Sequence, residues 1–486
     1  MRTATVIRRL LIANRGEIAA RIIRTCQRLG IEAVLGASEA DLASVPARLA
    51  DQVVRLGPSP AAASYLNVDA VVAAARAVGA DAVHPGYGFL SESPRLAQAC
   101  ERAGIVFVGP TAEQLAVVGD KLAARRHARD SGLPVVPGGE VRGTAEALAL
   151  AEQLGWPVLV KAAGGGGGRG MRLVTEAAEI EAALETAAAE ASVAFGDTRL
   201  YLERYVSSGR HVEVQILADG VDAVHLGDRD CSIQRRYQKL VEEAPAPGLD
   251  EQLRSRMHQA AVAFARRLGY RGAGTVEFLV ETGRAALRPP EPAGAALRPP
   301  EPAGSTFYFL EMNARIQVEH PVTEAITVLD ATGLDLVAEQ IAVAEGLPLR
   351  IAQDAVVLSG HAIECRINCE DWLHDFRPSP GMVTRVAVPV GPGLRVDTFL
   401  QAGDEISPYY DSLVAKLIAS GRDRAQALER LRSALRRFVV EGVATTVPMH
   451  LALTEEPEFV AGGVDTTWFA RFLQRRGATA APRKSR

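Results

Sequence analysis

The sequence predicts a mixed α/β protein divided into several folded units. Strand and helix patterns alternate over about the first 110 residues, five glycines interrupt a strand-rich region at 164–168, and strand patterns recur in the last third. A chain of 486 residues can form two to four units with their own cores. Its content of 48% apolar and 23% charged residues is ordinary for a globular protein.

Charge and hydropathy exclude several classes of protein. A net charge of −4 gives no general electrostatic reason to bind nucleic acid or an anionic membrane. The sequence contains no apolar run of about 18 residues, so no membrane-spanning helix is expected. The apolar segment near the N-terminus is too short for the core of a signal peptide. The five cysteines are dispersed without metal-ligand spacing, which predicts buried thiols and a cytoplasmic location.

The first unit shows a repeated β-α-β pattern. A short strand at 6–13 is followed by a helix whose apolar stripe includes Ile18, Ile22 and Cys26. Repetition of this pattern predicts a parallel sheet covered by helices. Gly16 lacks the GxGxxG context, so dinucleotide binding is not inferred. The turn at 84–88 (HPGYG) fits either a purely structural turn or a role at a cleft.

A glycine-rich segment characterises the next region. Residues 111–135 are predicted as one helix that carries Lys121, and 136–206 as a small separate unit. In that unit a strand ends at Lys161, the glycines 164–168 follow, and the next strand covers 171–174. Glycine lets backbone N–H groups close around phosphate oxygens, which favours a phosphate-covering flap over a flexible linker. No GK[ST] follows, so this is not a Walker A loop.

Lysine usage supports that interpretation. Only five lysines occur among 54 basic residues, and Lys121, Lys161 and Lys239 fall in segments selected on other grounds. A compact ammonium suits a site where a point charge must reach a phosphate or carbonate.

A hairpin with a proline-rich tip is predicted in the middle of the chain. An alternating strand at 211–217 comes first, and 229–239 is predicted as a dense polar loop. Strands at 274–280 and 307–311 then flank the decapeptide AALRPPEPAG, which occurs twice in tandem at 285–304. So much proline predicts an exposed, partly polyproline II loop. The hairpin would place Glu277 and Glu311 side by side.

The segment 311–319 (EMNARIQVE) is the strongest functional signal. Polar residues alternate with apolar ones as in a strand. Carboxylate and amide oxygens suit Mg²⁺, a guanidinium grips oxyanions, and a second carboxylate can act as a base. The alternative is a polar sheet face. Eight extended residues span about 26 Å, so the chain must bend near Arg315 if both glutamates serve one site.

The last third is predicted to be rich in strands. Strands are expected at 360–367 and 383–388, with a helix at 424–439 and a final helix near 467–475.

An ordered set of motifs runs from about residue 6 to 470. It includes LLIANRGEIAARI, HPGYGFLSE, VGDK, VKAAGGGGGRGMR, RHVEVQ, EEAPAP, GTVEFL, EMNARIQVEHPVTE, ECRIN and PYYDSLVAKLI. With these motifs the chain resembles the biotin carboxylases of the ATP-grasp superfamily. The resemblance implies a Rossmann-like N-terminal domain (1–118) and an ATP-grasp domain (119–345) with a mobile lid (136–206) and the insert (285–304). A β-rich C-terminal domain (346–475) and a flexible tail (476–486) would follow.

The resemblance also implies an activity: ATP-dependent carboxylation of biotin by bicarbonate through carboxyphosphate, with Mg²⁺ or Mn²⁺. Its implied catalytic residues are Lys239, Arg315, Glu319 as the base for bicarbonate, and Arg366 as the group that stabilises the biotin enolate. The implied nucleotide contacts are Lys121, Lys161, Gly167, Gly168, Glu203, Arg204, Tyr205, Val206, His211, Gln234, Tyr237, Glu277, Leu279 and Glu311. The implied bicarbonate and biotin contacts are Lys239, Arg315, Gln317, Val318 and Arg366, and the metal ligands are Glu277, Glu311 and Asn313.

Three departures from the family pattern stand out. Tyr237 occupies a position where relatives usually carry His or Asn, the hairpin tip is lengthened, and 326–333 is a few residues longer than usual. None removes a chemical group, so activity is expected.

Partners follow from the same resemblance. No Met-Lys-Met biotin-attachment sequence occurs, so a separate biotin carrier protein and carboxyltransferase are expected, together with a homodimer. The leading hypothesis is the biotin carboxylase subunit of an acetyl-CoA or other acyl-CoA carboxylase, as in fatty acid biosynthesis. Another ATP-grasp ligase and a degenerate assembly scaffold are the alternatives.

Overall fold

The computed structural model describes residues 5–163, 171–281, 306–329 and 333–477. The glycine run and the tandem decapeptide lie outside these residues. Within them, no helix combines the length and the apolar character needed to cross a membrane.

The N-terminal part is a parallel sheet with helices against it. Its elements are β1 (Arg9–Ile12), α1 (Gly16–Leu29), β2 (Glu32–Ser38), α2 (Val45–Leu49), β3 (Gln52–Gly57), α3 (Val68–Ala77), β4 (Ala82–His84), α4 (Pro94–Arg102) and β5 (Val106–Phe107). The strand order is β3-β2-β1-β4-β5, with parallel neighbours throughout. The predicted apolar stripe of α1 is buried, and the helix ends at Gly30, whose φ of 70° suits glycine. The predicted parallel sheet is confirmed.

The single helix predicted at 111–135 is wrong. Two helices, α5 (Ala112–Gly119) and α6 (Lys121–Asp130), meet at Asp120. Asp120 has an extended backbone, and its side chain accepts a hydrogen bond from the Ala123 N–H. It therefore ends one helix and caps the next, which fixes Lys121 at the first turn of α6.

A four-stranded unit follows. Its elements are β6 (Gly138–Val141), α7 (Thr144–Leu154), β7 (Val158–Ala162), β8 (Arg172–Val174), α8 (Ile180–Phe195) and β9 (Leu200–Arg204). The antiparallel order is β6-β9-β7-β8. Val158, Val160 and Leu202 lie in a core of its own. The strands on either side of the glycine run are therefore those predicted.

The central part contributes long antiparallel strands. Its elements are β10 (Gly209–Asp219), β11 (Ala223–Arg235), β12 (Gln238–Ala244), α9 (Glu251–Leu268), β13 (Arg271–Glu281), β14 (Thr306–Asn313), α10 (His320–Ile326), β15 (Thr327–Val328), α11 (Leu336–Ala344) and β16 (Val357–Leu358). The β13–β14 hairpin brings Glu277 opposite Glu311, as predicted.

The predicted polar loop at 229–239 is wrong. The segment is the end of β11, a tight turn and the start of β12. Arg236 and Tyr237 form the turn with φ of 51° and 67°. Hairpin turns of this kind usually carry Asn-Gly or Asp-Gly, so the sequence lacks the ordinary signal. The end of β11 also resembled a loop because Arg229 and Asp230 are charged, although both are buried and paired with charged side chains.

The predicted strand over 311–319 is only partly correct. β14 ends at Asn313, and the chain bends at Arg315, where the bend was expected. Glu319 immediately precedes α10, whose first turn contains Pro321. Proline at the first helical turn favours a helix start, which explains why the alternation does not continue as a strand.

The C-terminal part extends the same large sheet. Its elements are β17 (His361–Asn368), β18 (Glu370–Asp371), β19 (Arg377–Pro378), β20 (Gly381–Met382), β21 (Arg385–Ala387), β22 (Leu394–Thr398), β23 (Glu405–Ile406), β24 (Leu413–Gly421), α12 (Arg424–Leu435), β25 (Val439–Glu441), α13 (Val447–Leu453), α14 (Pro457–Ala461) and α15 (Trp468–Arg475). The predicted helix at 424–439 ends at Leu435, and the strand at 383–388 is shorter than expected.

One eight-stranded sheet connects the central and C-terminal parts. Its order is β14-β13-β10-β11-β12-β17-β24-β22, with antiparallel neighbours. The pairing of β12 with β17 places Arg366 in the same sheet as Lys239. Residues far apart in sequence therefore share one surface.

Candidate active site

A cavity of about 580 Å³ lies over this sheet and reaches the N-terminal part. The strands β10, β12, β13, β14 and β17 contribute to its wall, and the turn after β4 contributes Tyr87 and Gly88. The HPGYG turn thus lies at a cleft. The predicted site residues in the wall are His211, Tyr237, Lys239, Glu277, Glu311, Asn313, Arg315, Gln317, Val318, Glu319 and Arg366.

Lys239 is the central cation. Its Nζ donates to Glu213 at 2.5 Å, to Glu277 at 2.8 Å and to Glu319 at 2.7 Å. Burial lowers the pKa of Lys239, but these three carboxylates raise it further, so its net pKa lies well above the usual value. Lys239 is therefore positively charged at neutral pH.

Two cations hold the Glu319 carboxylate. Oε1 accepts from Lys239, and Oε2 accepts from Nη2 of Arg366 at 2.8 Å. Burial would raise the pKa of Glu319, but Lys239, Arg366 and Arg229 together lower it. The buried carboxylate is therefore ionised and fully paired.

Glu277 lies between the cations and the other strand of the hairpin. Its Oε1 accepts from the side-chain amides of Asn313 at 2.8 Å and Gln317 at 3.1 Å. Nε2 of His211 lies 3.1 Å from its Oε2. Burial would raise the pKa of Glu277, but Lys239 and His211 lower it well below the usual value.

Arg315 forms the adjoining basic wall. It donates to Glu92 at 3.1 Å and to Oδ1 of Asn313 at 3.0 Å. Burial lowers its pKa, but Glu92 and Glu319 raise it overall, so the guanidinium stays charged. Val318 and Gln317 line the cavity beside it.

Three supporting residues were missed from sequence. Arg229, fully buried, donates to Glu213 at 2.6 Å and to Gln317 at 3.2 Å. Glu92 positions Arg315, as described above. Glu213 could have been found, because it lies two residues after His211 in a strand and so on the same face. Arg229 lay in the segment misassigned as a loop.

The residues of the four-stranded unit form a second basic group. Lys161 pairs with Glu203, which also accepts from Arg125 at 3.2 Å. Burial lowers the pKa of Lys121, Glu311 opposes this, and Lys161 lowers it further. Lys121 therefore lies within electrostatic range of both the four-stranded unit and the hairpin.

The other predicted nucleotide contacts differ in position. Nε2 of Gln234 lies 2.9 Å from Nδ1 of His211. Leu279, on β13, is the strand partner of His211, which is on β10. The Arg204 side chain instead binds Glu281, at 3.0–3.1 Å. Tyr205 and Val206 follow β9 and do not line the cavity formed by the described residues. Gly167 and Gly168 lie outside those residues.

The donor set of the hairpin fits a divalent cation. Glu277, Glu311 and Asn313 offer carboxylate and amide oxygens of the kind that Mg²⁺ takes. Burial and the neighbouring charge of Glu277 raise the pKa of Glu311. A divalent cation bound there would relieve this repulsion.

The parallel N-terminal sheet, the four-stranded unit and the large antiparallel sheet that encloses a cationic cavity define an ATP-grasp protein. Three family models match in order along the chain. "Biotin carboxylase, N-terminal domain" matches residues 6–115, and "Carbamoyl-phosphate synthase L chain, ATP binding domain" matches 120–287 and 300–352. "Biotin carboxylase C-terminal domain" matches 364–471.

Relatives match almost end to end. A biotin carboxylase from Nostoc is 47% identical over 463 residues, covering 95% of this chain and 98% of its own. The biotin carboxylase of Pseudomonas aeruginosa is 46% identical, with 96% and 99% covered. The chain belongs to the biotin carboxylase family.

Solved structures agree. A biotin carboxylase–β,γ-ATP complex from Campylobacter jejuni has a TM-score of 0.88 at 41% identity and covers 96% of this chain and 99% of its own. The biotin carboxylase domain dimer of Hydrogenobacter thermophilus 2-oxoglutarate carboxylase, in complex with MgADP, ADP and bicarbonate, has a TM-score of 0.88 at 40% identity. It covers 98% of this chain and 100% of its own.

Proposed function

We propose that this chain catalyses the ATP-dependent carboxylation of biotin by bicarbonate, giving N1-carboxybiotin, ADP and phosphate. The observation that carries the proposal is the contact of Lys239 with three carboxylates, those of Glu213, Glu277 and Glu319. Arg366 donates to the second oxygen of Glu319. This arrangement supplies positive charge and a carboxylate in one cavity. A poor nucleophile such as bicarbonate needs both.

Nucleotide binding is assigned to the interface of the four-stranded unit and the hairpin. Lys121 and Lys161 would hold the phosphates, since both are partly buried ammonium groups with carboxylates nearby. Lys161 must exchange its contact with Glu203 for a phosphate oxygen. Closure of the four-stranded unit as a lid would exclude water from the labile carboxyphosphate.

Glu277, Glu311 and Asn313 would hold Mg²⁺ or Mn²⁺. When bound, the metal neutralises charge on the transferring phosphoryl group. The same residues also order the site directly, because Asn313 donates to Glu277 and accepts from Arg315.

Bicarbonate is assigned to Lys239, Arg315, Gln317 and Val318. Glu319 would remove its proton, but a carboxylate held by two cations is a weak base. Bicarbonate bound to Lys239 would weaken the contact between Lys239 and Glu319. The pKa of Glu319 would therefore rise. Substrate binding itself would then prepare the base.

Arg366 is assigned to the biotin enolate. Carboxyphosphate would break down to CO₂ and phosphate, and phosphate or an equivalent base would take the proton from biotin N1. The guanidinium would stabilise the enolate oxygen, and N1 would attack CO₂. Arg366 lines the cavity from β17, on the side opposite the hairpin.

Assembly and location are also proposed. The expected partners are a separate biotin carrier protein, a carboxyltransferase and a second copy of the chain. The 2-oxoglutarate carboxylase domain is a dimer, which supports the last of these. The five cysteines are buried free thiols, which supports a reducing compartment such as the cytoplasm. The domain boundaries given above stay predictions.

Bicarbonate-dependent ATP hydrolysis, measured with and without free biotin, tests the proposal. Stimulation by biotin and formation of carboxybiotin are expected. Turnover with an amine or another carboxylate acceptor, and none with biotin, would indicate a different ligase. No turnover with any acceptor, despite nucleotide binding, would indicate a scaffold.

A further inference from the structure

Two buried carboxyl groups lie behind Arg366. Glu242 on β12 is directly opposite Glu364 on β17, and both residues are 0% exposed. In the described part of the protein, Oε2 of Glu242 and both oxygens of Glu364 have no hydrogen-bond partner. A buried carboxylate without a donor is costly, and two neighbouring ones are more so. Simultaneous ionisation of both groups is therefore unfavourable.

The remaining oxygen of Glu242 holds Arg366. Oε1 of Glu242 lies 2.5 Å from both Nε and Nη2 of Arg366, while Nη2 also donates to Glu319. The Arg366 carbonyl accepts from Oγ1 of Thr446 at 3.1 Å and from Nε2 of His450 at 2.7 Å. The backbone of Arg366 is thus fixed from one side and its guanidinium from the other.

We propose that Glu242 is a positioning residue for Arg366, and that Glu364 is kept as a neutral carboxylic acid so that a single negative charge, on Glu242, faces the guanidinium. The inference rests on the proposed function, in which Arg366 acts on biotin. When a substrate draws Nη2 away from Glu319, Glu242 continues to hold Nε. The guanidinium then presents the same edge to the cavity throughout turnover.

The charges around the pair decide where the proton lies. Burial raises the pKa of Glu364 well above its usual value, Lys416 opposes this, and Glu242 adds to it. Burial also raises the pKa of Glu242, but only to about 7, because Arg366 opposes it. The proton therefore favours Glu364. The charged groups that face the pair are Lys239 on β12, Arg366 on β17, Lys416 on β24, Glu319 before α10, and Glu17 of α1, which lies 3.2 Å from Lys416.

Steady-state kinetics of Glu242→Gln test the positioning role. We expect biotin-dependent turnover to fall roughly 10- to 100-fold, since displacement of a reacting group by about 1 Å has effects of this size. The KM for ATP should change by less than about twofold, because Glu242 lies outside the nucleotide contacts. Glu242→Asp keeps the charge and should recover part of the turnover. Turnover of Glu242→Gln within twofold of the wild type would overturn the inference.

Glu243→Gln is the matched control. Glu243 is the next residue of β12, is buried, and binds His361 and Arg424 rather than Arg366. Its loss should lower the thermal midpoint while leaving turnover per folded molecule within about twofold. Biotin-dependent turnover of the wild type is measured first. Its absence would refute the proposed function, whereas its presence with an unaffected Glu242→Gln would refute only this inference.

Thermal unfolding of Glu364→Gln tests the neutral acid and does not depend on activity. A carboxyl whose pKa is raised by folding destabilises the folded state progressively as pH rises above its unfolded value. Glutamine mimics the neutral acid at every pH. The thermal midpoint of Glu364→Gln relative to the wild type should therefore increase between pH 5 and pH 8, by roughly 1–4 °C. A difference that is constant or decreases over that range would overturn the assignment of the proton, even if the Glu242 variants fold poorly.

Discussion

Replacement of Glu319 with glutamine is the most direct test of the proposed chemistry. The carboxylate would be the proton acceptor for bicarbonate, and removal of a general base costs about 10²–10⁴-fold in rate. This corresponds to about 3–5 kcal/mol in activation free energy. Bicarbonate-dependent ATP hydrolysis and biotin carboxylation should therefore both fall by at least two orders of magnitude.

The fold and the nucleotide site should survive this change. Lys239 keeps Glu213 and Glu277, and Arg366 keeps Glu242, so neither cation is left unpaired. Breaking a buried ion pair costs about 3–5 kcal/mol only when the remaining charge is uncompensated. We expect a loss of less than about 2 kcal/mol in the free energy of unfolding. The dissociation constant for ADP, measured by calorimetry, should stay within about threefold.

The pH dependence of stability provides a second measurement on the same variant. Because folding lowers the pKa of Glu319, its ionised form stabilises the protein above the unfolded value of about 4.3. That contribution is lost as pH falls through the folded value. The difference in unfolding free energy between wild type and Glu319→Gln should therefore decrease as the pH is lowered below about 4.3.

The exposed variant Glu113→Gln is the control for activity. If Glu319→Gln turns over as fast as this control and the wild type, the assignment of Glu319 as the base is refuted.

Three further predictions concern the nucleotide, the metal and the fold. Lys161→Ala should raise the ATP concentration needed for half-maximal turnover by about tenfold or more, since a charged contact of about 1.5–3 kcal/mol is lost; an unaltered ATP dependence would speak against a phosphate role. Glu311→Gln should raise the Mg²⁺ concentration required for turnover by a similar factor, and a magnesium titration that overlays the wild type would exclude it as a ligand. Asp120→Ala should lower the free energy of unfolding by about 1 kcal/mol through loss of the α6 cap, whereas Asp120→Asn should retain most of it; equal stability of both variants would show that the cap is unimportant.

Local patterns predicted most of the fold. The parallel N-terminal sheet followed from β-α-β alternation, and the hairpin with Glu277 opposite Glu311 followed from two strand patterns joined by an unpairable proline-rich tip. The errors share a cause. At 229–232 buried polar side chains made the end of β11 resemble a loop, and at 314–319 polar alternation continued past the end of β14. In both places the polar groups are satisfied by partners distant in sequence, which local patterns do not contain.

The same reason limits prediction of the site. Lys239, Arg315 and Glu319 could be identified by their chemistry and by resemblance to a family. Glu92 and Arg229 could not, because their role is visible only once β11 and the N-terminal part meet around the cavity. The strand pattern could place Glu213 on the same face as His211, but it does not reveal the contact of Glu213 with Lys239. The role of Glu242, which lies in the EEAPAP motif, could not be predicted either. Glu242 is buried beside Arg366 because β12 pairs with β17, and short-range sequence patterns do not predict that pairing.

In the proposed function, ligand binding at this site exchanges ion pairs that the protein already contains. Lys239 and Arg366 already hold Glu319, Lys161 holds Glu203, and Arg315 holds Glu92. An incoming bicarbonate or phosphate would therefore replace a carboxylate of the chain, because these cations are already paired. The binding free energy is then only the difference between the cation–ligand pair and the cation–carboxylate pair that it replaces. Small anions are therefore expected to bind weakly on their own. In the proposed function each exchange also releases a carboxylate. The one released beside bicarbonate would be Glu319, which would then take the proton.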